Sequence, residues 1–217
     1  MMRYACVLFD LDGTLMDTGS GLMAAIADTI AAFGLPEPDA ETLRSFVGPP
    51  ISQSLKSAFG LDDETTARAT AHFRRVYPEK HLLGAEPYEG IHELLHKLRA
   101  QGVKLGVATN KPHSYAVPLL AHFGFDRAFD VLQGSIPGEM ETKQLVVEAC
   151  LAKLGVTDKS AVALVGDTVH DQKGAAQAGV DFIAVDWGYG YRPGDTAQDA
   201  HAAAMCSDME GLLAALC

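Results

Sequence analysis

The chain has 217 residues, 48% hydrophobic and 21% charged, which suits one globular domain or a domain carrying an insertion. A formal net charge of -11 argues against nucleic acid or an anionic membrane as a partner, while a small anionic substrate held by local positive charge stays open. Cys6, Cys150, Cys206 and Cys217 form no CxxC pair and read as structural thiols, not a disulfide framework or zinc site. With no signal-peptide pattern and no apolar run of membrane-spanning length, a cytoplasmic protein is expected.

Residues 4–9 are an unbroken apolar run, the mark of a strand buried on both faces of a parallel sheet. Two aspartates, Asp10 and Asp12, follow where the chain must turn at Gly13. Strand alternation then points both into one crevice. Residues 19–83 carry helical periodicity and almost no strand signal. Leu22, Ile26, Ile30 and Phe33 share a face before Gly34. A short helix is expected from Asp39 to Phe46, with a break at Gly48-Pro49-Pro50. Another follows over 51–59, and a longer one from an Asp62 or Asp63 cap to about Tyr77, stopped by Pro78.

From Tyr88 strand and helix alternate. Helices are expected at 91–100, from Pro112 at its first position to about Phe123, at 142–154, 171–178 and 207–216. Strands are expected at 103–108, 129–132, 161–165 and 182–185. This alternation predicts an α/β fold, a doubly wound parallel sheet with helices on both faces, interrupted once by the helical block. The expected division is a core of 1–15 and 86–217 with an inserted helical domain of 16–85. Asp17, Thr18 and the 83–88 stretch serve as hinges.

Chemistry gathers at the strand ends. Asp10 and Asp12 follow the first strand, Thr109 and Asn110 the second, and Asp167 the fourth. Asp171 lies a turn beyond Asp167, and Lys143 opens the intervening helix. In a parallel sheet these project into one crevice. Two charges about 4 Å apart interact by roughly 4 kcal/mol at an effective dielectric near 20. Four clustered carboxylates therefore call for a cation, and an all-oxygen donor set points to Mg²⁺. Thr109, Asn110, Lys143 and the amides of the 11–13 turn, Leu11 and Asp12 among them, add donors suited to a phosphate. Asp171 also fits a helix cap, and Asp10 and Asp12 also fit a turn.

Asp10-Leu11-Asp12-Gly13-Thr14, Thr109, Lys143 and the GDxxxD run from Gly166 to Asp171 resemble, in order, the four motifs of the haloacid dehalogenase-like superfamily. The resemblance spans nearly the whole chain and implies a Rossmann-like core with an α-helical cap inserted after the first motif. It is closest to phosphoglycolate phosphatase-like and bacterial 5′-nucleotidase-like members. It implies Asp10 as nucleophile forming an aspartyl phosphate, and Asp12 as general acid and then base. It also implies Mg²⁺ held by Asp10, the Asp12 carbonyl and Asp167, with Asp171 anchoring metal-bound water or binding directly, and Thr109, Lys143 and Asn110 on the phosphoryl group.

Four local features bear on the substrate: Gln144 in place of the common proline after Lys143, a Gly-Ser-x-x-x-Gly variant at Gly134, Phe46-Val47-Gly48-Pro49-Pro50 in the cap, and Gln172-Lys173 after Asp171, where apolar residues are more usual. In the cap, Arg44, Lys56, Arg74, Arg75, Lys80 and His81 offer cations. The expected partner is a small phosphorylated metabolite bound by a monomer or homodimer. The alternatives are a sugar phosphomutase on the same scaffold and, in a different class, a phosphoacceptor switch. A 2-haloacid dehalogenase would have no need of Asp12.

Overall fold

The computed structural model describes residues 2–39, 42, 43, 46, 51–140 and 142–217. The chain divides into two compact units, Met1–Asp17 with Pro87–Cys217, and Thr18–Glu86. In chain order the first unit begins with strands β1 (Cys6–Phe9) and β2 (Met16–Asp17).

The helical unit holds α1 (Gly19–Phe33), α2 (Ile51–Phe59) and α3 (Asp63–Val76). Gly34 ends α1 in the left-handed region, at φ 62°. The Asp62 carboxylate caps α3 by accepting from the Thr65 N–H at 2.6 Å. Pro78 does not stop the chain: a π-type turn, Tyr77–His81, continues from α3 with the proline near its start, where a missing N–H costs little. The helix expected from Asp39 to Phe46 and the break at Gly48-Pro49-Pro50 fall largely outside the described residues, as does Arg44.

β3 (Glu86–Pro87) leads back to the first unit. There α4 (Ile91–Ala100), β4 (Lys104–Pro112), α5 (His113–His122), β5 (Val131–Ser135) and α6 (Lys143–Leu154) follow. Next come β6 (Val162–Gly166), α7 (Val169–Ala178), β7 (Asp181–Val185), β8 (Ala204–Cys206) and α8 (Met209–Leu216). Six strands form one parallel sheet in the order β5-β4-β1-β6-β7-β8. This is a Rossmann-like α/β sheet.

β1 lies between β4 and β6, with Phe9 level with Val107 on one side and Val165 on the other. Both faces are covered. Cys6 and Leu8 pack in a core with Val146, Val147 and Cys150 of α6 and Ala175 of α7. Phe9 turns to the opposite face and meets Phe129 edge-on at 5.9 Å. Phe125 lies beside Phe129, and His92 of α4 stacks on Phe125. Burial on both sides is why the run has no polar alternation.

Several boundaries differ from expectation. β5 starts at Val131, not Phe129, because Phe129 serves the core and the Asp130 carboxylate takes the Leu105 N–H. Pro112 is not the first residue of a helix. It closes β4 beyond an irregularity after Thr109 and stands in an extended conformation as the cap of α5. β8 is a strand with no counterpart in the expectations, formed by pairing with β7.

Candidate active site

β1 ends at Phe9, and Asp10 is tied to the sheet by its N–H to the Val165 carbonyl at 2.9 Å. Asp10 shares its parity with Cys6 and Leu8, so its side chain leaves on the α6–α7 side. There the Lys143 ammonium donates to the Asp10 carboxylate at 2.6 Å and meets the Asp171 carboxylate at 2.6 Å. Lys143 is buried at the first position of α6, where the Thr142 hydroxyl accepts from the Leu145 N–H at 3.3 Å. Its stem lies on Gly174 of α7, where a Cβ would stand 2.4 Å from Lys143 Cγ.

Asp171 has two jobs. One carboxylate oxygen accepts from the Thr168 N–H at 3.0 Å and hydroxyl at 2.7 Å, closing a capping box on α7. The other faces Lys143. Gly166 lets this carboxylate approach: a Cβ there would stand 2.5 Å from Asp171 Cγ.

Asp167 follows β6, fully buried. It accepts from the Tyr189 N–H at 2.7 Å and the Thr14 hydroxyl at 3.2 Å. Carboxylate oxygens of Asp10, Asp167 and Asp171 lie within 4.8 Å of one another.

The two aspartates after β1 take different lysine partners. The strand has ended, alternation no longer governs, and the chain turns at Gly13 with φ 81°. The Asp12 carboxylate goes to Lys111, whose ammonium donates at 2.8 Å. Lys111 was not among the expected site residues. A lysine after a strand end reads as solvated, yet β4 runs on to Pro112 and carries it inward, its side chain only 8% exposed.

Thr109 is buried, and its hydroxyl accepts from the Lys111 N–H at 3.2 Å. Asn110 is exposed, with its carbonyl taking the Ser135 hydroxyl at 2.7 Å. Leu11 buries its side chain, and its carbonyl accepts from the N–H groups of Leu15 and Met16. The Gly13 N–H donates to the Met16 carbonyl at 2.9 Å, which removes one of the turn amides expected to face a phosphate. In the helical unit Lys56 pairs with Asp63 and Arg75 with Glu79, while Lys80 and His81 both meet Asp28.

Residues 7–185 match the family model of the haloacid dehalogenase-like hydrolases. The chain belongs to that family. This haloacid dehalogenase-like hydrolase is 34% identical over 212 residues to a 5′-nucleotidase of Pseudomonas aeruginosa, covering 97% of this chain and 95% of that protein. It is 37% identical over 185 residues to the tyrosine-protein kinase PtkA of Mycobacterium tuberculosis, covering 85% of this chain and 62% of that protein. A solved haloacid dehalogenase-like family hydrolase from Streptococcus pneumoniae superposes with a TM-score of 0.89 at 28% identity, over 99% of each chain.

The charge balance of this haloacid dehalogenase-like site bears on a cofactor. Burial is the first cause raising the Asp10 carboxyl, and the Asp171 and Asp12 carboxylates add to it against the pull of Lys143. Burial also raises the Asp167 carboxyl, helped by Asp171 and Asp10. Burial works to lower the Lys143 ammonium, but Asp10 and Asp171 outweigh it and hold the amine protonated. Three buried carboxylates thus share one ammonium, and among the described residues no cation pairs with Asp167. At separations of 4.8 Å or less each carboxylate pair repels by at least about 3.5 kcal/mol at an effective dielectric near 20. An oxygen-only, net negative cluster fits a hard divalent cation, and Asp10, Asp167 and Asp171 are the groups that would hold it.

Among the described residues no helix is long and apolar enough to cross a membrane.

Proposed function

We propose that this haloacid dehalogenase-like hydrolase is a Mg²⁺-dependent phosphatase of a small phosphomonoester, working through an aspartyl phosphate on Asp10. The observation that carries the reading is the buried Asp10 carboxylate held by Lys143, with Asp167 and Asp171 beside it at the carboxyl end of the central strand. When bound, Mg²⁺ supplies positive charge against the phosphoryl oxygens and the three carboxylates.

Lys143 keeps Asp10 ionised and aimed. An Asp10 carboxylate oxygen bonds to phosphorus as the bond from phosphorus to the ester oxygen breaks, and Asp12 passes its proton to the departing alkoxide. Asp12 then takes a proton from water as the water oxygen bonds to phosphorus. The bond between phosphorus and Asp10 breaks, freeing inorganic phosphate and restoring both residues. Thr109 and Lys143 orient the phosphoryl oxygens, with Asn110 and the Leu11 and Asp12 amides as further contacts. The unit Thr18–Glu86 acts as the cap that selects the leaving group.

The Pseudomonas aeruginosa relative's name, 5′-nucleotidase, makes nucleoside monophosphates the first substrates to try. The test is phosphate release from nucleoside monophosphates, phosphoglycolate and sugar phosphates, with and without Mg²⁺. Release from at least one, lost in Asp10→Asn with the fold intact, is expected. No release from any of them with Mg²⁺ present defeats the reading.

A further inference from the structure

The chain's single tryptophan, Trp187, lies in the segment after β7, outside all four motifs. That segment wraps Asp167. The Tyr189 N–H donates to the Asp167 carboxylate at 2.7 Å, and the Tyr191 N–H donates to the Asp167 carbonyl at 2.9 Å. The glycines between leave no room for side chains. A Cβ on Gly188 would stand 2.3 Å from the Asp167 carboxylate and 2.4 Å from the Gly13 carbonyl. One on Gly190 would stand 2.4 Å from the Asp167 carbonyl.

Two further bonds fasten the segment to the chain just past β1. The Trp187 indole N–H donates to the Thr14 carbonyl at 3.3 Å, and the Tyr189 hydroxyl donates to the Asp17 carboxylate at 2.6 Å. The same residue therefore grips Asp167 with its backbone and Asp17 with its side chain. A carboxylate that must face a cation against its neighbours' repulsion needs its oxygens fixed, and outer partners of this kind typically set metal affinity by about tenfold or more.

We propose that Tyr189 is a positioning residue for Asp167: its amide orients the carboxylate, and its phenol, anchored on Asp17, holds that amide in place. The role rests on the Mg²⁺ reading above. It belongs to no step of the phosphoryl transfer and acts only through Asp167.

The experiment titrates Mg²⁺ alone into chelator-treated full-length protein, followed by calorimetry and by Trp187 emission. Tyr189→Phe keeps the ring and the amide and removes the hydroxyl that anchors on Asp17. Its Mg²⁺ midpoint is expected to rise about threefold to tenfold. Its turnover should return to the wild-type value at saturating Mg²⁺, with the substrate KM unchanged. Asp17→Ala should match it, and the double variant should add nothing further. A Tyr189→Phe midpoint within about twofold of wild type, or a turnover loss that saturating Mg²⁺ does not recover, overturns the proposal. Absence of Mg²⁺ binding by the wild-type protein strikes the metal reading instead, so the two failures are distinguishable.

Discussion

Lys143 is surrounded by charge of one sign, and its removal should reveal how much. Lys143→Met keeps the length of the side chain and leaves Asp10 and Asp171 facing each other in the interior. Such a break typically costs about 3 kcal/mol or more. Turnover should be lost, and Mg²⁺ should restore more of the melting temperature in the variant than it adds to wild type. Thermal melts with and without the ion check this. Lys111 orients the Asp12 side chain. Lys111→Met should lower kcat by about tenfold or more, a fraction of what proton transfer contributes, and leave the Mg²⁺ midpoint unchanged. Asp10, Lys143, Asp167 and Asp171 were legible because each stands at a strand end or in a helix's first turn, where a pattern of apolar runs places them. Lys111 was not, because its inward course depends on β4 continuing past Thr109, which pairing with β5 decides.

At the scale of elements, the site is the meeting of two helix starts on one sheet. Thr142→Ala removes the cap of α6 and should cost about 1 kcal/mol of stability, seen as a lower denaturant midpoint. Gly174 tests how closely α7 is pressed to α6. In an exposed helix interior, glycine to alanine stabilises by about 1 kcal/mol. Here the added Cβ would meet the Lys143 stem at 2.4 Å, so Gly174→Ala should destabilise and cut kcat together. A stabilised, fully active Gly174→Ala would mean α7 can yield without moving Lys143. Such a glycine gives no sequence signal, since it carries no chemistry and reads as a weak helix residue. β8 was hidden for a related reason. Ala204-Met205-Cys206 is three residues with no alternation, made a strand by β7. The helices were easier, because α1, α4 and α6 each carry an apolar face and a glycine, or a polar cap, at an end.

Over the whole molecule, the strand order follows from few cues. Apolar runs separated by helices imply a parallel sheet, but the placing of β1 between β4 and β6 is a long-range pairing that local pattern does not encode. The cysteines offer a measure of how firmly that arrangement holds. Cys6, Cys150 and Cys206 are buried, with burial the first cause pushing their thiols up to about 11, about 12 and about 11, while Cys217 is exposed. A thiol reagent at pH 8 should label Cys217 promptly and the other three only as the core opens. Fast labelling of more than one thiol in the native protein would contradict this packing. Mass spectrometry of the labelled peptides reads it directly.

The central position of β1 also sets a schedule. Its partners begin at Lys104 and Val162, so the apolar segment Cys6–Phe9 is synthesised long before either neighbour exists. At typical elongation rates of about 5–20 residues per second, roughly eight to thirty seconds pass between Cys6 and Val162. Until residue 104 is added the nascent chain carries an unpaired apolar strand, and until residue 143 an Asp10 without its lysine. Asp10 is thus among the first groups of the site to be made and among the last to gain its full set of neighbours.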